Sequence, residues 1–316
     1  KDFIFKIIER RNYIKNEVDL ICGLLEDVED LPEDIKEECM DRMAKSSSIS
    51  YKVMKKTKKI PKDIKKILEL KICEHPKFAF DLLMKDKNIE EETKKNAISI
   101  CLKYPYYSYQ LRRRIDNISD SIKRRAELKA CEDPQWSYHL IKFIKDLPEK
   151  IKELAEEKAC ESVVYAYKLF KYIDNLSDKR KEIAILKISE DPSYSEMILV
   201  SNNNLNENQK TILIESCCKN PKMSYHIIRY CRNITEDEKR KLELTCCKDP
   251  QYSYHLRADI EDLPEDIKRL SEEKACEDSF WAYKLTNVPG ISKDIRKKAM
   301  EKSKDVSKDL RENCDY

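Results

Sequence analysis

Along most of the chain, apolar residues fall four apart within short blocks, as in Trp136, Leu140 and Ile144, and polar breaks separate the blocks. That spacing puts a single apolar stripe on each of a succession of short helices. The blocks come in pairs. The first of each pair opens with Asp-Pro or a relative: His75-Pro76, Tyr104-Pro105, Asp133-Pro134, Asp191-Pro192, Asn220-Pro221 and Asp249-Pro250. Asp or Asn there accepts hydrogen bonds from the free N–H groups of a helix start, and Pro is preset for the first turn. The second block follows Leu147-Pro148-Glu149, Leu176-Ser177-Asp178 or Ile234-Thr235-Glu236. Thr235 with Glu238, and Asn206 with Gln209, have the spacing of a capping box. Second helices are expected to end near Ala130-Cys131-Glu132, where the next Asp-Pro breaks them.

The pairs recur every 29 residues. Asp133-Pro134-Gln135-Trp136-Ser137-Tyr138-His139-Leu140 returns as Asp249-Pro250-Gln251-Tyr252-Ser253-Tyr254-His255-Leu256, four periods later. Stepping from Tyr138 gives Tyr167, Glu196, Tyr225, Tyr254 and Tyr283 in one direction, and Tyr109, Phe80, Tyr51 and Cys22 in the other. Only the last unit, near Gly290, is a residue short. The residue before each aromatic is small (Ser50, Ala79, Ser108, Ser137, Ala166, Ser195, Ser224, Ser253, Ala282), which lets two helices approach closely. One such hairpin cannot bury its apolar face alone, so neighbours must stack on it. The expectation is an all-α, right-handed α-solenoid forming a single domain over residues 1–316. An N-terminal cap takes residues 1–16, ten helical hairpins take 17–303, and a charged tail takes 304–316.

With these features the chain resembles the α-helical tandem repeats of the tetratricopeptide, pentatricopeptide, Pumilio and HEAT class. The resemblance covers nearly the whole chain and is architectural. The unit is shorter than the roughly 33–47 residues of the common types, and the tetratricopeptide signature is absent. What the class implies is a surface that binds macromolecules.

Composition agrees with an all-α reading: 39% of residues are charged and only two are glycine, too few for strand turns or phosphate-cradling loops. No apolar run approaches a membrane span, and Asp2–Glu9 is too charged and short for a signal peptide. Thirteen cysteines lie inside helical patterns of a large chain, which suits a reducing, cytoplasmic setting. Cys73, Cys131, Cys160, Cys218, Cys247 and Cys276 share one repeat position with Ala44, Leu102 and Ser189, so this reads as a buried apolar slot. No Cys-x-x-Cys and no finger-spaced His argue for a metal, and no cofactor is expected.

Candidate binding residues lie on the first helices. His139, His226 and His255 follow the repeat Tyr, where Lys52, Gln110 and Lys168 stand in other units; such a range suggests a position facing water. One turn on come Lys55, Arg113, Lys142, Lys171 and Arg229. First helices are therefore net basic, against +3 for the whole chain, and the remainder is net acidic. Such segregation is an electrostatic footprint for phosphates or acidic peptides. The Tyr row beside it either offers stacking surfaces or seals the joins between repeats, and aromatic residues at helical spacing favour sealing. No catalytic constellation is evident. The expectation is a non-catalytic scaffold for a protein or peptide. An RNA- or DNA-binding repeat protein is the alternative, since reading one base per repeat is an RNA strategy. A HEAT-like enzyme acting on nucleic acid, with Trp136 or Trp281 at the base, stands third.

Overall fold

The computed structural model describes residues 18, 21–22, 33–43, 45–57, 60, 62–85, 89–201, 204–231 and 233–305. The expected N-terminal cap lies outside them, as does the tail beyond a short 3-10 turn at Ser303–Asp305. The described residues form α-helices and no strand, and the chain divides into two compact units, residues 1–158 and 159–316.

In the unit 1–158, first helices are α2 (Ser47–Lys56), α4 (Pro76–Lys85), α6 (Pro105–Arg114) and α8 (Pro134–Phe143). Second helices are α1 (Glu33–Met43), α3 (Lys62–Ile72), α5 (Glu91–Cys101), α7 (Asp120–Ala130) and α9 (Glu149–Ala159), the last ending at the unit boundary. The unit 159–316 has first helices α10 (Val163–Tyr172), α12 (Pro192–Ser201), α14 (Pro221–Tyr230), α16 (Pro250–Asp259) and α18 (Ser279–Leu285). Its second helices are α11 (Asp178–Ile188), α13 (Glu207–Cys217), α15 (Glu236–Cys246), α17 (Glu265–Ala275) and α19 (Lys293–Lys302). Corresponding helices start 29 residues apart throughout, until α19 begins one residue early. Gly290 makes that shorter connection with φ of 74°, a conformation open to glycine without strain.

Local chemistry sets these ends. Six first helices begin at the proline that the sequence marks. Asp133 accepts from the N–H groups of Gln135 and Trp136, and Asp249 from those of Gln251 and Tyr252. Both capping boxes form, at Asn206 with Gln209 and at Thr235 with Glu238.

Within each unit a first helix packs along the second helix that follows it, and first helices also pack on first helices of adjacent repeats. This is the two-layered arrangement of an α-solenoid. The core runs between the layers. From the first helices come Leu82, Leu111 and Leu140 in one unit, and Leu169, Ile227 and Leu256 in the other. Small residues such as Ala126, Ala155 and Ala184 answer from the second helices. The small residue before each Tyr is buried and does more than make room. Ser50, Ser108, Ser195, Ser224 and Ser253 each donate to a carbonyl seven residues back, at the end of the preceding second helix.

Candidate functional site: the first-helix face

The repeat tyrosines seal joints. Tyr109, Tyr138, Tyr167 and Tyr225 are 2–6% exposed. Six rings at this repeat position meet an aromatic that stands 27 residues on. The pairs are Tyr51 with Phe78, Phe80 with Tyr107 and Tyr109 with Trp136 in one unit, and Tyr167 with Tyr194, Tyr225 with Tyr252 and Tyr254 with Trp281 in the other, at centroid distances of 5.2–6.3 Å. This second aromatic row escaped the sequence reading. Its signal was present as an aromatic recurring at the same period, two residues before the first row.

Four basic residues one turn beyond a repeat Tyr belong to the same assembly. Arg113 donates to the Tyr109 hydroxyl at 3.1 Å, Lys171 to Tyr167 at 2.8 Å and Arg229 to Tyr225 at 2.7 Å. Lys142 lies 5.5 Å from the Tyr138 ring centroid. These cations also flank exposed rings: Arg113 stands 4.7 Å from Phe143, Lys171 5.7 Å from Tyr172 and Arg229 5.6 Å from Tyr230. Arg113, Lys142, Lys171 and Arg229 are exposed, as are Lys52 and Lys55. Lys85 reaches back across one repeat to the Tyr51 hydroxyl at 2.6 Å.

The position after each Tyr departs from the expectation that it faces water. Lys52 is exposed, but Lys168, His139, His226 and His255 are half-buried and Gln110 is 7% exposed, its Oε1 without a hydrogen bond among the described residues. The cause is the seam between adjacent first helices. His139 lies against Tyr109, Trp136 and Phe143, and His255 against Tyr225, Tyr252 and Trp281. Burial lowers the His255 pKa, with Asp259 opposing. His226 Nδ1 lies 3.2 Å from Glu196. Tyr225 donates to Asp259, and burial together with that bond pushes its hydroxyl up to about 12.

The structure thus gathers Gln110, Arg113, His139 and Lys142 around Tyr109 and Phe143. In the other unit, Lys168 with Lys171 and His226 with Arg229 sit on α10 and α14, and His255 on α16. The stripe is not continuous: Asp81 and Met84 take its two positions on α4, and Met197 and Val200 take them on α12.

The cysteines are packing groups. The eleven cysteines whose side chains the structure describes are free thiols, and burial pushes those of Cys73, Cys101, Cys131 and Cys247 up to about 12. A thiol so raised has almost no thiolate at neutral pH and is a poor nucleophile. Among the described residues no group of His, Cys, Asp and Glu is placed to hold a metal ion, and no helix is long and apolar enough to cross a membrane. What the first-helix face offers a ligand is cationic charge, ring edges and apolar surface.

No protein-family model matches the chain, and neither the curated proteins nor the solved structures contain a match.

Proposed function

We propose that this chain is a non-catalytic binding protein whose first-helix face takes up a protein or peptide. The observation carrying this reading is the mixture on that face. Cations stand beside exposed large apolar residues: Arg113 and Lys142 with Phe143, Lys171 with Tyr172, and Arg229 with Tyr230. Protein interfaces are enriched in aromatic residues and arginine, the pairing that Arg113 with Phe143 and Arg229 with Tyr230 supply. Burial of Tyr109, Tyr138, Tyr167 and Tyr225 takes their ring faces away from stacking bases, which weighs against the nucleic-acid reading. Exposed Phe143, Tyr172 and Tyr230 are what still favours it, since a ring beside a cation also suits a single strand. A reducing, cytoplasmic setting belongs to the same proposal, in keeping with the free thiols.

Capture from a cell extract with and without nuclease separates the two. A protein partner should be retained after nuclease and lost when Arg113, Lys142, Lys171 and Arg229 are all changed to Glu, with helicity checked by circular dichroism. Loss on nuclease treatment, with affinity falling steeply in salt, would assign the face to nucleic acid. Binding unchanged by the fourfold substitution would remove the first-helix face from the function.

A further inference from the structure

One stretch of the unit 159–316 differs from the rest of its first-helix face. On α12 the two stripe positions hold Met197 and Val200, 43% and 44% exposed. Helix α12 packs against both α10 and α14, which bring Tyr172 and Tyr230, 50% and 56% exposed, to either side. Single exposed apolar residues are ordinary, but a contiguous group rimmed by charge marks an interaction site.

The rim has a sign. Lys168 and Lys171 on α10, and Lys222 on α14, make no ion pair among the described residues. Of the nearby carboxylates, Asp259 pairs with Arg229 at 3.3 Å and accepts from Tyr225. Glu196 lies 3.2 Å from His226 and is neutralised only when that His is protonated, and Asp174 beyond α10 is exposed. With Glu196 and Asp174 both counted as negative, Lys168, Lys171 and Lys222 still leave the rim net positive.

We propose that this patch holds an amphipathic acidic peptide segment. Its apolar side chains seat on Met197 and Val200 between Tyr172 and Tyr230, and its Asp or Glu residues meet Lys168, Lys171 and Lys222. The assignment rests on the protein-binding reading and names the chemistry of the partner. A second copy of the same face would set these lysines against themselves, a like-charge contact that costs stability. A nucleic-acid strand crossing α10, α12 and α14 needs a cation at each step, and the middle step supplies Met197 and Val200 instead.

The test uses the full chain and a fluorescein-labelled peptide with leucines on one helical face and glutamates on the other, read by fluorescence anisotropy. Comparison probes carry alanine for every leucine or lysine for every glutamate, and a uridine oligonucleotide is the nucleic-acid arm. The acidic leucine peptide should bind, and M197E/V200E and K168E/K171E/K222E should each weaken it at least about tenfold. M197A/V200A, gentler on the helix, should weaken it in the same direction if the glutamate pair perturbs folding.

Equal binding to the double variant, equal binding of the alanine probe, or binding of the oligonucleotide in place of the peptide would overturn the assignment. A partner captured from extract that survives M197E/V200E but is lost on reversal of Arg113, Lys142, Lys171 and Arg229 leaves the first-helix function standing. The same result removes this patch from it.

Discussion

Two ion pairs between largely buried side chains join a first helix to the second helix that follows it. Arg112 donates to Glu127 at 2.6 Å and reaches Asp146 at 2.6 Å; in the other unit Arg257 donates to Glu272 at 2.7 Å and to the Pro289 carbonyl at 3.1 Å. Where the first helix offers Leu83, Phe170 or Leu199 at that repeat position, the second holds Ile98, Ile185 or Ile214. Acidic residues also stand opposite apolar ones: Glu69 opposite Met54, Glu156 opposite Ile141 and, opposite Ile228, Glu243. Glu243 is 1% exposed, and its Oε1 has no hydrogen bond among the described residues. Burial raises its pKa above the ordinary 4.5, with Lys239 and Arg240 opposing. The folded state thus holds the proton more tightly than the unfolded one. The protonated carboxyl favours folding below 4.5, and that contribution is lost as pH rises through the raised value. Glu243→Gln should therefore raise the urea midpoint at pH 7 and lose this advantage below 4.5. A lower midpoint at pH 7 would show that the carboxylate is held by a partner.

At the scale of elements, the joint between one second helix and the next first helix is the feature repeated most faithfully. Ser224, fully buried, donates to the Cys217 carbonyl at 3.0 Å. Alanine already fills this position at Ala79, Ala166 and Ala282, so Ser224→Ala should cost about 1 kcal/mol, the net worth of one hydrogen bond. Ser224→Leu should cost about 1–3 kcal/mol or more, because the added carbons force two helices apart. Urea denaturation of both variants checks the order; equal costs would mean the hydroxyl matters and the close approach does not. The need for a small residue was legible in the sequence, since nine repeats show it. Its hydrogen bond was not, because a bond to a carbonyl seven residues back depends on how the chain closes between two helices. The capping boxes were legible for the opposite reason: donor and acceptor lie three residues apart on one helix start.

For the whole molecule, stacked repeats make stability a sum of local terms and nearest-neighbour interfaces. A destabilising change in one repeat should therefore open its neighbours before distant ones. In Ser224→Leu, hydrogen exchange should quicken first across α12 to α16, and amides of α4 to α8 should keep their protection. Uniform loss of protection along the chain would mean that the array unfolds as one cooperative body. The same logic bears on binding: a face built from many similar repeats takes its specificity from the repeats that differ. Met197 and Val200 mark such a repeat on α12, and Asp81 with Met84 marks another on α4.

By itself the sequence determined the paired helices, their starts and their 29-residue phase, because caps, Pro at the first turn and apolar stripes act within a few residues of chain. It also described one cysteine position as a buried slot, from its alternation with Leu102, and Cys73, Cys131, Cys160, Cys247 and Cys276 are buried there. Tertiary structure decided what the first-helix face exposes. Whether a tyrosine stacks or seals, and whether Gln110 meets water or a seam, depends on partners 27 to 34 residues away. Those distances are fixed by how helices lie against one another. Of the basic stripe read from spacing, Arg113, Lys171 and Arg229 are bonded to tyrosine hydroxyls in the folded chain, and Met197 and Val200 leave open apolar surface where the stripe is interrupted.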